Sequence, residues 1–101
     1  MMTHTVFFWL NAGLTPEERT AFESALRTLL DIPGATRAVI GRPAATPKRE
    51  VIDDSYDYAL ELDFATLEAQ DVYQAHPVHL DFVNGQKAKW DRVRVYDFQH
   101  I

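Results

Sequence analysis

The stretch YQAHPVHLDF, Tyr73 to Phe82, places a phenol and two imidazoles three residues apart, with a proline between the imidazoles. A histidine titrates near neutral pH and can act as a general base. A tyrosine hydroxyl can donate to an oxygen that gains charge, such as that of an enolate. Pro77 suits the first position of a new helix, with His76 at its cap and His79 in its first turn. The positive helix end disfavours an imidazolium there, so His79 is expected to be neutral and able to accept a proton. A base needs an orienting group, and Asp97 is the expected one. It shares a strand face with Val93 and Val95, where a carboxylate needs a partner. An Asp97–His79 hydrogen bond would fix the imidazole tautomer. The competing expectation is structural: Tyr73, His79 and Asp97 satisfy one another at the core boundary, and His76 only caps a helix. His4, His76 and His79 match no standard metal-ligand spacing, and no metal is expected.

These side chains must be positioned within 101 residues, enough for one domain spanning 1–101. Hydrophobic residues make up 47% and charged residues 25%, a globular rather than a disordered composition. The absence of cysteine removes disulfides, thiolate nucleophiles and cysteine metal sites. The net charge of −5 argues against a nucleic-acid partner, because a phosphate backbone needs a basic footprint. Arg37, Arg42, Lys48 and Arg49 are scattered, and Asp91 interrupts the denser group of Lys87, Lys89, Arg92 and Arg94. The opening MMTHTVFFWLNAG has no basic lead and reads as a strand rather than a signal peptide. No apolar run reaches membrane-spanning length, so the expectation is a cytoplasmic protein without a membrane partner.

Periodicity supplies the elements. Residues 3–10 read as a strand with His4, Val6, Phe8 and Leu10 on one face and Thr5, Phe7 and Trp9 on the other. Thr15, Pro16 and Glu18 form a helix start with a capping box. The apolar stripe Ala21, Phe22, Ala25, Leu26, Leu29 and Leu30 follows, and the helix should stop before Pro33. Residues 35–41 read as a second strand and 42–55 as a long charged loop. Residues 56–64 alternate, with Tyr56, Tyr58, Leu60, Leu62 and Phe64 on one side. Thr66 is placed to cap a helix through Gln74. Pro77 opens another, reaching Lys89, and residues 92–98 close the chain as a strand.

Strand, helix, strand, strand, helix, strand is the split βαβ order of an α+β, ferredoxin-like domain. It implies a four-stranded antiparallel sheet with helices on one face. Phe7 and Trp9 would leave the other face apolar. A second subunit is the expected cover, giving a homodimer.

HTVFFWL, LLDIPG, YDYALELDF, YQAHPVHLDF and the closing VYDF together resemble the stress-responsive dimeric α/β-barrel family, often called Dabb. The resemblance spans nearly the whole chain. It implies paired ferredoxin-like subunits, each with a cavity between sheet and helices, and no cofactor. A plant polyketide cyclase of the family performs a cofactor-free aldol condensation. The match to it implies catalytic roles for Tyr73 and His79, support from Asp97, and pocket positions for His4, Tyr58 and Leu26, with His76 nearby. Tyr58 and Leu26 replace a histidine and a tyrosine of that cyclase, which bears on the substrate. The expected function is therefore a small-molecule-binding homodimer with an apolar or aromatic ligand. Acid/base enzymology of the cyclase or lyase kind is one form of it. Non-catalytic stress-associated ligand binding, a structural dimer and a cofactor-free monooxygenase are the alternatives.

Overall fold

The computed structural model describes residues 1–101. In chain order the elements are β1 (Met2–Leu10), α1 (Pro16–Thr28), β2 (Ala35–Gly41), β3 (Tyr58–Phe64), α2 (Leu67–Ala75), α3 (Pro77–Gln86) and β4 (Trp90–Gln99). Short 3₁₀ turns, Leu29–Asp31 and Lys87–Lys89, follow α1 and α3. The four strands form one antiparallel sheet in the order β2-β3-β1-β4. This is the α+β ferredoxin-like fold, with its helices on one face. No helix is long and apolar enough to cross a membrane.

Local chemistry explains the boundaries. Thr15 Oγ1 accepts from the Glu18 N–H at 3.1 Å, and the Glu18 carboxylate accepts from the Thr15 N–H at 3.0 Å. Both otherwise orphaned donors at the start of α1 are thereby satisfied. Gly34 has φ +112°, a backbone state open to glycine, and turns the chain into β2. Thr66 Oγ1 accepts from the Ala69 N–H and caps α2. Pro77 separates α2 from α3, because it has no N–H and its ring obstructs a continuing helix.

The core forms where α1 and α3 press on the even-numbered face of β1 and β3. Phe22, Leu26, Leu29, Leu60, Leu62, Phe64 and Tyr73 are all essentially inaccessible. Phe8 meets Phe22 at 5.4 Å and Phe82 at 5.9 Å between ring centroids. These edge-on aromatic contacts bind α1 and α3 to the central strand.

Three expectations need correction. Tyr56 does not share a face with Tyr58. The strand begins at Tyr58, and the Asp57 carboxylate accepts the Leu10 N–H at 2.7 Å. That anchor bends the chain, so Tyr56 stacks edge-on against Phe7 at 4.9 Å on the far face of the sheet. The third helix ends at Gln86, and a 3₁₀ turn completes the path to Lys89. β4 starts earlier than expected, at Trp90, through an irregularity opposite Trp9 and Leu10. Leu10 faces Trp90 and Trp9 faces Arg92, so Asp91 is the extra residue of a bulge.

Phe22→Ala should therefore cost about 3–5 kcal/mol of unfolding free energy. Val51→Ala, on a side chain 80% exposed, should change it by less than about 0.5 kcal/mol. Denaturant unfolding of the two variants checks both.

Candidate functional site

A cavity of about 200 Å³ lies between the β1–β4 half of the sheet and the α2–α3 layer. Its wall is mainly apolar, including Val6, Phe8, Leu60, Phe82 and Val93, with His4, Gln74 and His79 as its polar members. β4 is an edge strand, and the helices do not reach over all of it. Val95 is 49% exposed although it lies on the helix-facing side. The cavity therefore opens along β4.

His4 and Asp97 are directly opposed in the β1–β4 register. On one face of an antiparallel pair such side chains approach closely. His4 Nδ1 lies 2.5 Å from Asp97 Oδ1, so the ring N–H donates to the carboxylate. The His4 side chain is only 6% exposed, whereas that of Asp97 is 50% exposed. The other ring nitrogen, Nε2, faces Gln74 Nε2 at 3.4 Å.

This corrects the expected Asp97–His79 pairing. Asp97 is claimed by its cross-strand neighbour, and His79 stands across the cavity on α3. Its ring centroid is 5.0 Å from that of Tyr73, and its Nδ1 is buried without a partner. Burial pushes the His79 pKa below the usual histidine value. The Gln74 main-chain carbonyl favours the charged ring, and the neighbouring His4 opposes it. Burial is the larger influence, rather than the helix end that the sequence suggested.

Tyr73 is 1% exposed, and its hydroxyl has no hydrogen-bond partner. Burial alone raises its pKa far above the tyrosine range, so the hydroxyl keeps its proton and can only donate or accept hydrogen bonds. Its ring lies 6.2 Å from that of His4 and 5.4 Å from that of Phe64. Tyr73 therefore packs against His4 and His79 but is not itself a wall residue of the cavity, which those two imidazoles line.

The remaining expected pocket residues lie elsewhere. The Tyr58 hydroxyl donates to Glu23 at 2.9 Å, and Arg42 stands over its ring at 5.8 Å. It lines a separate shallow cleft between α1 and β2. Leu26 is fully buried in the core, and Leu29, farther along the chain, touches the cavity instead. His76 is turned to its own backbone: its Nδ1 accepts the Val78 N–H at 3.1 Å and caps α3. The three histidines of the first sequence reading consequently do not converge.

One wall residue, Gln74, escaped the sequence reading as a functional group, whereas Trp90 was expected as core or pocket wall. Gln74 was legible only as the neighbour of Tyr73. Trp90 reaches the helix side through the bulge, and its buried Nε1–H also lacks a partner. A second hollow of about 210 Å³ on the opposite sheet face is lined by Phe7, Trp9, Tyr56 and Tyr96. It contains Arg92 above Trp9 at 4.5 Å and Asp53, but no imidazole or unpaired buried donor.

A ferredoxin-like domain with an apolar, imidazole-lined cavity under its helices defines the class of this protein. The sequence matches the Stress responsive A/B Barrel Domain family, Dabb, over residues 2–100, and the chain belongs to that family. Among curated proteins, none matches. A Dabb family protein of ferredoxin-like fold from Mesorhizobium loti is similar in structure at 24% identity, with TM-score 0.77 over 99% of this chain and 96% of that one. A dimeric ferredoxin-like protein of unknown function from Thermobifida fusca gives 21% identity and TM-score 0.77 over 98% and 90%. Hydroxynitrile lyase from Passiflora edulis gives 17% identity and TM-score 0.78 over 96% and 90%. At these identities the likeness is one of fold.

The His79 shift has a consequence for stability. Its folded pKa lies below the unfolded value, so its contribution is complete above about pH 6.5 and is lost as pH falls through the folded value. Wild-type stability should therefore fall more steeply between about pH 7 and 5 than that of His79→Gln. In an NMR titration of the ring protons, His79 should be the histidine that stays neutral below its ordinary value.

Proposed function

We propose that the protein binds a small apolar or aromatic carbonyl compound in this cavity and moves a proton on it without a cofactor. One observation carries the reading: Tyr73 Oη and His79 Nδ1 are both buried without partners, with their rings 5.0 Å apart, and His79 lines a mainly apolar hollow. A buried, unpaired polar group costs roughly 1–3 kcal/mol, which a merely structural trio would avoid by pairing. His79, kept neutral by burial, takes a proton from the carbon beside the carbonyl. Tyr73, packed against His79 behind the cavity wall, donates a hydrogen bond to the oxygen on which charge develops once the bound molecule reaches it. His4, backed by Asp97, stands close enough to take part in returning the proton.

Cavity size bears on the substrate. An engineered apolar cavity of about 150 Å³ accepts benzene. A hollow of about 200 Å³ fits a single ring or a short branched chain. The resemblance to olivetolic acid cyclase supports Tyr73 and His79 as the acid/base pair. A long linear polyketide, however, would have to extend past Val95 out of the cavity. The fold shared with a hydroxynitrile lyase is equally compatible with a lyase step on a smaller carbonyl compound.

A second reading, ligand binding without turnover, is favoured by one specific observation. The carboxylate expected behind His79 is committed to His4, so His79 has no acidic partner. Exchange of the α-hydrogens of small ketones and β-dicarbonyls for deuterium, followed by NMR in D₂O, separates the two. Under the acid/base reading, His79→Ala loses roughly 10²–10⁴-fold in exchange rate. Tyr73→Phe slows exchange while leaving stability unchanged or raised by about 1 kcal/mol, because it deletes an orphaned hydroxyl. Binding with no protein-dependent exchange across the series would leave only the second reading.

The homodimer is proposed on the open sheet face. Tyr96 is 59% exposed there beside Phe7, and Phe98, opposite Thr3, is 54% exposed. Exposed aromatic residues grouped on one sheet face mark an association surface. The Thermobifida fusca relative, described as dimeric, supports the same arrangement. Introducing Tyr96→Asp and Phe98→Asp together should convert a sedimenting dimer to a monomer with its helical content intact.

A further inference from the structure

Gln74 is the residue that addresses both imidazoles of the cavity. Its side-chain Nε2 stands 3.4 Å from His4 Nε2. Its main-chain carbonyl favours the charged form of His79 without forming a hydrogen bond to the buried Nδ1. The second contact follows from the helix break. In a continuous helix the Val78 N–H would bond to the Gln74 carbonyl. Here that N–H goes to His76 Nδ1 instead, leaving the carbonyl free of it.

The His4 ring is gripped from two sides. Asp97 accepts from Nδ1, which places the ring proton there. Nε2 then carries the lone pair, and the Gln74 amide must present its NH₂ group to it. The opposite amide orientation would set the carboxamide oxygen against that lone pair. The other groups around this ring are Tyr73 and, across the cavity, His79. Neither forms a hydrogen bond to it.

We infer that Gln74 is a positioning residue, which with Asp97 fixes the orientation and the Nδ1–H tautomer of the His4 ring and so sets its Nε2 at the cavity. The purpose of this arrangement rests on the proton-transfer reading, but the arrangement itself is tested without it. Were His4 to accept a proton at Nε2, rotation of the Gln74 amide would offer its oxygen to the new N–H. The residue is thus able to serve both protonation states without moving the helix.

Long-range ¹H–¹⁵N spectra of the imidazoles in the full-length, ¹⁵N-labelled protein test the inference at about pH 8.5, where ordinary imidazoles are neutral. The expected wild-type result is a single Nδ1–H tautomer for His4, with an Nε2 resonance shifted by an accepted hydrogen bond. In Gln74→Leu the Nε2 resonance should move to the position of a free lone pair, with the tautomer kept by Asp97. In Gln74→Glu a carboxylate faces Nε2 instead of an amide, and the His4 Nε2 resonance should move from its wild-type position. His79 resonances should keep their tautomer in both variants, since its Gln74 contact is main-chain. The amide spectrum of each variant reports whether it is folded, and Gln74→Glu alone suffices if Gln74→Leu is not. A wild-type Nε2–H tautomer, or His4 resonances unmoved by a folded variant, overturns the inference. Absence of α-hydrogen exchange with the expected resonances would instead remove the catalytic reading and leave this one standing.

Discussion

Pro77 has no main-chain N–H to give, so α2 and α3 cannot run as one helix. The site is arranged around that missing donor. His76 leaves the helical conformation, with ψ near 138°, and its ring closes over the first turn of α3 by accepting from Val78. Tyr73 is held in the last turn of α2, where its carbonyl accepts the His76 N–H at 3.1 Å. His79 follows in the first turn of α3, and the break lets its ring face that of Tyr73. A residue with an N–H at position 77 would permit a straight helix, and the two rings would then be carried by the ordinary turn geometry of one cylinder. The proline thus couples a local backbone property to the meeting of a phenol and an imidazole.

The second half of the site depends on β1, the strand flanked by β3 and β4. Its register with β4 sets His4 against Asp97, Val6 against Val95 and Phe8 against Val93. Since side chains alternate across a strand, a slip of one residue would send all three helix-side partners to the opposite face. The bulge at Asp91 belongs to the same argument. It allows Trp90 to face the helices while the rest of β4 keeps its register with β1. β4 is also an edge strand, so its helix-side residues are covered only in part. The cavity and its opening both arise from that incomplete cover.

The fold was legible because each element carried its own signal. The capping box at Thr15 and Glu18, the apolar stripe through Phe22 and Leu26, and the alternation from Tyr58 to Phe64 all act within one element. The site was legible only where the same holds. Tyr73, His76 and His79 lie in one short segment, and the cap at His76 follows from Pro77. Asp97 was assigned to the wrong imidazole because its choice depends on cross-strand register, which no local pattern states. Tyr58 and Leu26 were placed in the cavity by analogy with a relative. Their positions here follow instead from Glu23, which takes the tyrosine hydroxyl, and from the packing of α1. Trp90 depended on a bulge, and Gln74 on a side chain reaching from a helix to a strand.

The polar groups in the cavity wall and just behind it also differ in how they are satisfied. His4 has a partner on each ring nitrogen, one charged and one neutral. Tyr73 and His79 have neither at the atoms that matter. Low dielectric makes the first arrangement rigid and the second costly, for the same electrostatic reason. A fold could remove the cost with Phe at 73 and an apolar residue at 79. Retaining two unpaired groups 5.0 Å apart between ring centroids, beside a third imidazole already fixed in place, is therefore difficult to explain by packing. Under the function proposed above, a bound molecule supplies the partners that Tyr73 and His79 lack, while His4 is already held by Asp97 and Gln74.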